Sequence, residues 1–283
     1  MSESAVKIGV CSWSFWQNLP EQLEFLIENK FTATSLLQHI MNADKILHRD
    51  CAQMIKENNL TLTWHSNVLD EHVLNGQINS DYLKRLYDEV IWWHENTNGV
   101  FSSCSDGNVR QINFEHVSCM NKRLAPLNIR YGLENSCSPN HKQFTTIEQI
   151  QSLKNDAVAT PLFGMLFDAG HGWVFCKQNK LNFEDYIASI PVEIHEVHIS
   201  DNWGNNDDHL PLGDGELDLP ALMRGLKRKN FCGVFTLESL RKRDRAAFDL
   251  TVDIDRAKVL EYKEIIAAAW EGKIDYGKYL ERI

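Results

Sequence analysis

Along this chain, short apolar runs of strand length alternate with longer amphipathic runs of helix length, and the alternation repeats eight times. Strands are predicted at 7–12, 32–39, 60–66, 99–103, 129–135, 162–168, 194–200 and 233–238. Helices are predicted from near 20 to 30, then at 44–58, 81–96, 113–125, 146–156, 183–189, 219–229 and 253–270. Eight βα units in succession imply a (β/α)8 TIM barrel rather than an open doubly wound sheet. No G-x-G-x-x-G follows the first strand and no P-loop occurs, so a nucleotide-binding fold would lack its phosphate cradle. With no linker or low-complexity tract, residues 1–283 are expected to form one domain.

Side-chain parity within the strands carries the functional information. On a barrel strand, alternate residues face the axis and the helix layer. In strand five Ile129, Tyr131 and Leu133 suit the helices, while Arg130, Gly132 and Glu134 face the axis. The same division puts Asp168 of strand six, His198 of strand seven, Glu238 of strand eight and His65 of strand three on the inner face. Each lies at the carboxyl end of its strand, where barrel active sites are built. Arg130 and Glu196, lower down, are expected to pair at the barrel floor.

Glu134, Asp168, His198 and Glu238 thus converge from four successive strands. Three carboxylates and an imidazole at one place repel and perturb one another unless a cation compensates them. An oxygen-rich set with one nitrogen suits Mn²⁺ or Zn²⁺, with Mg²⁺ and Co²⁺ as alternatives. The stretch 194–219, IHEVHISDNWGNNDDHLPLGDGELDL, adds Asp201, Asp207, Asp208 and His209 within a window of twelve residues opening at His198. His171 follows Asp168 in DAGH. His65, His171, Asp207 and His209 are therefore candidates for substrate binding or for a second metal, and the choice stays open at this level.

The formal net charge of −10 argues against nucleic acid and anionic membranes as partners. No apolar run approaches a membrane span. The opening MSESAVKIGV has no signal-like n-region, and the seven scattered cysteines include no C-x-x-C, so a cytoplasmic protein with reduced thiols is expected. Trp13 and Trp16 after strand one, and Trp203 after strand seven, could wall a substrate's carbon skeleton or simply pack. Gly213 and Gly215 permit tight turns.

ENS at 134–136, FDAGH at 167–171, VHISDN at 197–202, DDHLPLGDGELD at 207–218 and TLES at 236–239 resemble the xylose isomerase-like barrel superfamily. That group includes ketose 3-epimerases, hydroxypyruvate isomerase, inosose-handling enzymes, dehydroshikimate dehydratase and endonuclease IV. The resemblance spans essentially the whole chain, with its motifs concentrated in the second half. It implies Glu134, Asp168, His198 and Glu238 as metal ligands, with Glu134 and Glu238 also moving the proton, as in the epimerases. Two positions depart from the epimerase pattern: Gly204 stands where they carry Arg, and Asn140 where they carry Glu.

The resulting expectation is a divalent-metal-dependent isomerase or epimerase of a small sugar, ketose or related hydroxy-ketone. It would act by proton transfer through a metal-stabilised enediolate, with a homo-oligomer left open. The competing reading is an endonuclease IV-like phosphodiesterase acting on abasic DNA. His65, the Asp168/His171 pair and the Asp207/His209 pair fit its three-metal site, whose strand-four His is missing from VFSSCSDG at 100–107. A lyase or dehydratase of the same superfamily, and a non-catalytic sugar-binding barrel, complete the set.

Overall fold

The computed structural model describes residues 6–12, 19–37, 45–66, 73–74, 77–105, 110–137, 144–157, 160–238 and 255–274. Eight parallel strands form the sheet: β1 Lys7–Val10, β2 Ala33–Leu37, β3 Thr61–Ser66, β4 Val100–Ser105, β5 Arg130–Glu134, β6 Phe163–Asp168, β7 Glu193–Ile199 and β8 Val234–Leu237. Their order is β1-β8-β7-β6-β5-β4-β3-β2. The barrel closes between β1 and β2 through a bridge from Cys11 to Ser35 and a hydrogen bond from the Thr32 amide to the Ile8 carbonyl at 3.1 Å. The (β/α)8 barrel expected from the alternating pattern is what the chain forms.

The helix layer comprises α1 Leu19–Glu28, α2 Lys45–Glu57, α3 Ser80–Asn96, α4 Arg110–Leu124, α5 Ile147–Ala157, α6 Ala169–Asn179, α7 Phe183–Ser189, α8 Leu219–Arg228 and α9 Arg256–Trp270. No helix among the described residues is long and apolar enough to cross a membrane. Outward strand residues such as Trp64, Tyr131, Leu133, Met165, Phe167, Val197 and Phe235 are almost fully buried against these helices, so the apolar core lies between sheet and helices. Trp93 of α3 is fully buried in this layer, and Trp270 of α9 packs on Phe231 and Phe235.

The barrel interior is unusually polar. At its floor the β6–β7 ladder slips: Met165 pairs with Ile194, but Leu166 pairs with Glu196, leaving His195 as an extra residue. The His195 ring stands edge-on to Phe101 at 5.1 Å, in space that Gly164 leaves. A Cβ on Gly164 would come within 2.5 Å of that imidazole. Above the slip, Glu196 pairs with Leu166 and His198 with Asp168, which brings both β7 side chains into the inner layers.

Glu196 does not pair with Arg130. Arg130 is exposed at the foot of β5, whereas Glu196 is fully buried. Its Oε1 accepts hydrogen bonds from Thr63 and Thr236, each at 2.7 Å. A short antiparallel hairpin, Val73–Leu74 with Gln77–Ile78, and helix α6 were not foreseen from the pattern.

Candidate metal centre

Glu134 ends β5, Asp168 ends β6, His198 lies near the end of β7, and Glu238 follows β8. All four are buried. Glu134, Asp168 and His198 each offer a donor atom within 4.8 Å of the other two. Glu238 joins them through His198, its Oε2 lying 2.9 Å from Nδ1. Asp168 also caps helix α6, since its Oδ1 accepts the His171 amide at 2.6 Å. Its other oxygen, Oδ2, is buried without a hydrogen-bond partner among the described residues. A carboxylate oxygen left this way inside a protein is costly unless a cation meets it. The donor set and this orphaned oxygen fit a divalent ion.

A second group stands beside the first. His171 Nε2 lies 3.2 Å from Asp207 Oδ2, and His209 Nε2 lies 3.0 Å from Asp207 Oδ1. These three residues also present donor atoms within 4.8 Å of one another. His209 adopts a left-handed backbone conformation, φ 47°, within the loop. Two contacts link the groups: Nδ1 of His171 is 3.6 Å from Glu134 Oε1, and Nδ1 of His209 is 3.8 Å from Glu238 Oε2.

The electrostatics follow from this crowding. Burial pushes the Asp168 carboxyl up to about 6. Burial also opposes ionisation of Glu238, but the adjacent His198 outweighs it and brings the group down to about 2. Glu134 falls below its usual range because His65 and His171 override its burial. Conversely, His198 is lifted well above the ordinary imidazole value by Glu238 and Glu196 against its own burial, and His171 likewise by Asp168 and Asp207. His209 rises to about 9 as Asp207 outweighs burial. Within the protein alone, protonated imidazoles balance the carboxylates, so a cation entering the site would displace protons.

His65 sits beside the first group. Its Nε2 is 3.5 Å from Glu134 Oε2, and its Nδ1 is 2.9 Å from the Ser103 hydroxyl. Ser103 of β4 is paired in register with His65, so a serine occupies the place across from it. Asp201 is not aimed at the site. Its carboxylate accepts the amides of Asn202, Gly213 and Leu217 at 2.7–2.9 Å, which organises the loop and occupies a backbone donor that an anion would need. Trp203 is 43% exposed, and its carbonyl accepts from Lys177 at 3.0 Å. Trp13 and Trp16 lie outside the described residues. At Gly204, φ is 82° and an added Cβ would strike the Lys177 side chain at 2.2 Å, so an arginine there would need both a strained backbone and a displaced lysine.

Parity alone does not single out Asn135, Ser103 or Glu196 as parts of the site, although Ser103 and Glu196 share the inward parity of the ligands. Asn135 lies just past the end of β5. Its carbonyl accepts from His171 Nδ1 at 2.8 Å, which leaves Nε2 to face Asp207.

A family model described as "Xylose isomerase-like TIM barrel" matches residues 23–261. Among solved structures, a D-tagatose 3-epimerase-like protein superposes with a TM-score of 0.76 at 18% identity, covering 95% of this chain and 98% of that one. An L-ribulose 3-epimerase gives 0.73 at 13% identity, covering 97% and 98%. The IOLI protein with a bound zinc atom gives 0.71 at 14%, covering 95% and 100%. In sequence, 134 residues, 47% of this chain, are 30% identical to the uncharacterized protein MJ1311 of Methanocaldococcus jannaschii. That match spans 44% of the relative's length.

Proposed function

Because the chain belongs to the xylose isomerase-like TIM-barrel family, we propose that it is a divalent-metal-dependent isomerase or epimerase of a small sugar, ketose or related hydroxy-ketone. The observation that carries this reading is the orphaned, buried Oδ2 of Asp168 within a convergent set of three carboxylates and one imidazole. Glu134, Asp168, His198 and Glu238 would hold the ion, with Mn²⁺ or Zn²⁺ the best match to the donors. When bound, the ion supplies positive charge to adjacent carbonyl and hydroxyl oxygens of a substrate, which acidifies the neighbouring C–H. Glu134 and Glu238 come from strands five and eight. One removes that proton, and the other returns it to the opposite face for epimerisation; a single glutamate acting alone gives isomerisation. His171, Asp207 and His209 bind substrate oxygens or a second ion, and Trp203 offers an apolar wall. With no disulfide among the described cysteines, a cytoplasmic setting suits the protein.

Elemental analysis after reconstitution with Mn²⁺ or Zn²⁺ should find at least one divalent ion per chain. Asp168→Ala and His198→Ala should each weaken its retention, because a missing ligand leaves the remaining carboxylates uncompensated. A wild-type protein that takes up no metal would overturn the proposal.

The His171–Asp207–His209 group favours a second reading, the abasic-site phosphodiesterase, because that chemistry uses several ions. Ser103 in place of a strand-four ligand and the net charge of −10 weigh against it. Incision of abasic DNA at rates typical of dedicated repair enzymes would reverse the preference.

A further inference from the structure

Beneath the four converging side chains lies a carboxylate that the proposed chemistry does not use. Glu196 is fully buried inside the barrel, two residues before His198 on β7. Its Oε1 is fixed from two sides by the hydroxyls of Thr63 on β3 and Thr236 on β8, both at 2.7 Å. The same oxygen lies 3.3 Å from Nε2 of His198. The opposite nitrogen of that ring, Nδ1, faces Glu238 at 2.9 Å. The imidazole therefore stands between a carboxylate of the candidate metal set above and a buried carboxylate below. Two threonines, 133 and 40 residues away in sequence, hold the lower one.

A buried carboxylate is expensive to retain, and in the middle of a barrel an apolar residue would serve packing better. Its position gives it a use. An imidazole ligates a metal through one unprotonated nitrogen, and the partner of the other nitrogen decides which one that is. An acceptor-only carboxylate at Nε2 holds the proton there and leaves Nδ1 to act as donor.

Resting on the metal-site reading above, we infer that Glu196 is a positioning residue: it anchors the Nε2 proton of His198 and so presents Nδ1 to the ion. At 3.3 Å and without full hydrogen-bond alignment, the contact is loose in the protein alone. Withdrawal of electron density through Nδ1 makes the Nε2 proton a stronger donor and tightens the contact. Thr63 and Thr236 act one step further out by fixing the carboxylate rotamer.

Two measurements test this. In ¹⁵N-histidine spectra of wild-type protein loaded with Zn²⁺, His198 should show a protonated Nε2 and a zinc-bound Nδ1. In chelator-competition titrations with Zn²⁺, Glu196→Gln should bind about 10–100-fold more weakly than wild type, the usual cost of losing an outer-sphere partner. Thr63→Val should give a smaller loss in the same direction. Thermal melts of the zinc-free variants separate this effect from a general loss of fold. Zinc bound through Nε2, or a Glu196→Gln affinity within twofold of wild type, would overturn the inference while leaving the metal site in place. Failure of wild type to bind zinc at all would instead remove the metal-site reading and this inference with it. If Glu196→Gln does not fold, the wild-type spectrum alone decides.

Discussion

Asn135 and Asp168 hold one another by a reciprocal pair of hydrogen bonds. The Asn135 side-chain amide donates to the Asp168 carbonyl at 3.0 Å, and its Oδ1 accepts the Asp168 amide at 2.7 Å. Beyond the end of the β5–β6 ladder, the asparagine side chain thus imitates one more backbone rung. It ties together the strand ends that carry Glu134 and Asp168, and its own carbonyl anchors His171.

Asn135→Ala should therefore act on stability and on the site together. Leaving a buried amide and carbonyl unpaired costs about 1–3 kcal/mol, read as a lower urea midpoint at unchanged slope. Zinc affinity should fall as well. Asn135→Asp keeps the shape but sets a carboxylate against the Asp168 carbonyl, and should be the more damaging change. An Asn135→Ala variant with wild-type stability and zinc affinity would show that the clamp is dispensable.

A separate, half-buried carboxylate sets a pH dependence. On α3, partial burial raises Glu89 to about 7, partly offset by the indoles of Trp64 and Trp93. The folded state thus holds this proton more tightly than the unfolded chain, whose glutamate titrates near its ordinary 4.5. The contribution is fully present below about 4.5 and is lost as pH rises toward 7. Glu89→Gln should leave stability near pH 4.5 almost unchanged and raise it by about 2 kcal/mol at pH 8, flattening the profile between. Parallel pH–stability curves for variant and wild type would refute the assignment.

Gly164→Ala tests the barrel floor. The new methyl would meet the His195 ring at 2.5 Å and the Glu193 carbonyl at 2.6 Å, an overpacking that costs about 1–3 kcal/mol. Adding His195→Ala should recover part of the loss, since the backbone contact persists. Zinc uptake at the other end of the barrel should be unaltered. A neutral Gly164→Ala would mean that the β6–β7 slip can relax freely.

Strand order and inward parity were legible because a barrel strand imposes a period of two, and an ionisable residue at the inner end of an apolar strand stands out against it. Glu134, Asp168, His198 and Glu238 are found that way. Helix α6 was not, because Gly170 and Gly172 lower its helix propensity and it starts directly at Asp168, which is both strand end and cap. The floor was misjudged for a different reason. The extra residue at His195 shifts the phase of β7 relative to β6, and local pattern carries no register between strands. Arg130 opens β5 at its exposed foot, whereas Glu196 lies across from Leu166, the ladder partner of Glu134 at the other end of β5, so the two matched charges lie apart and Glu196 meets two threonine hydroxyls instead. The roles of Asn135 and Asp201 escaped for a third reason: side chains that substitute for backbone partners have no periodic signature.

The proton itself offers the most direct test of the proposed chemistry. Glu134 and Glu238 reach the site from strands three apart in the sheet order around the barrel, so they can address different faces of one carbon. Each also belongs to the proposed ligand set, so replacement by alanine would confuse lost metal with lost proton transfer. Glutamine keeps an oxygen donor and the side-chain volume while removing the base. In D₂O, turnover of a ketose substrate should place solvent deuterium on the carbon beside the carbonyl. Glu134→Gln or Glu238→Gln should abolish that exchange while elemental analysis still finds some bound metal. If one variant loses exchange while the other still converts the substrate, a single base works on one face and the reaction is an isomerisation. If a substrate is converted with full transfer of label between its carbons and none from solvent, a hydride shift replaces the two-glutamate mechanism.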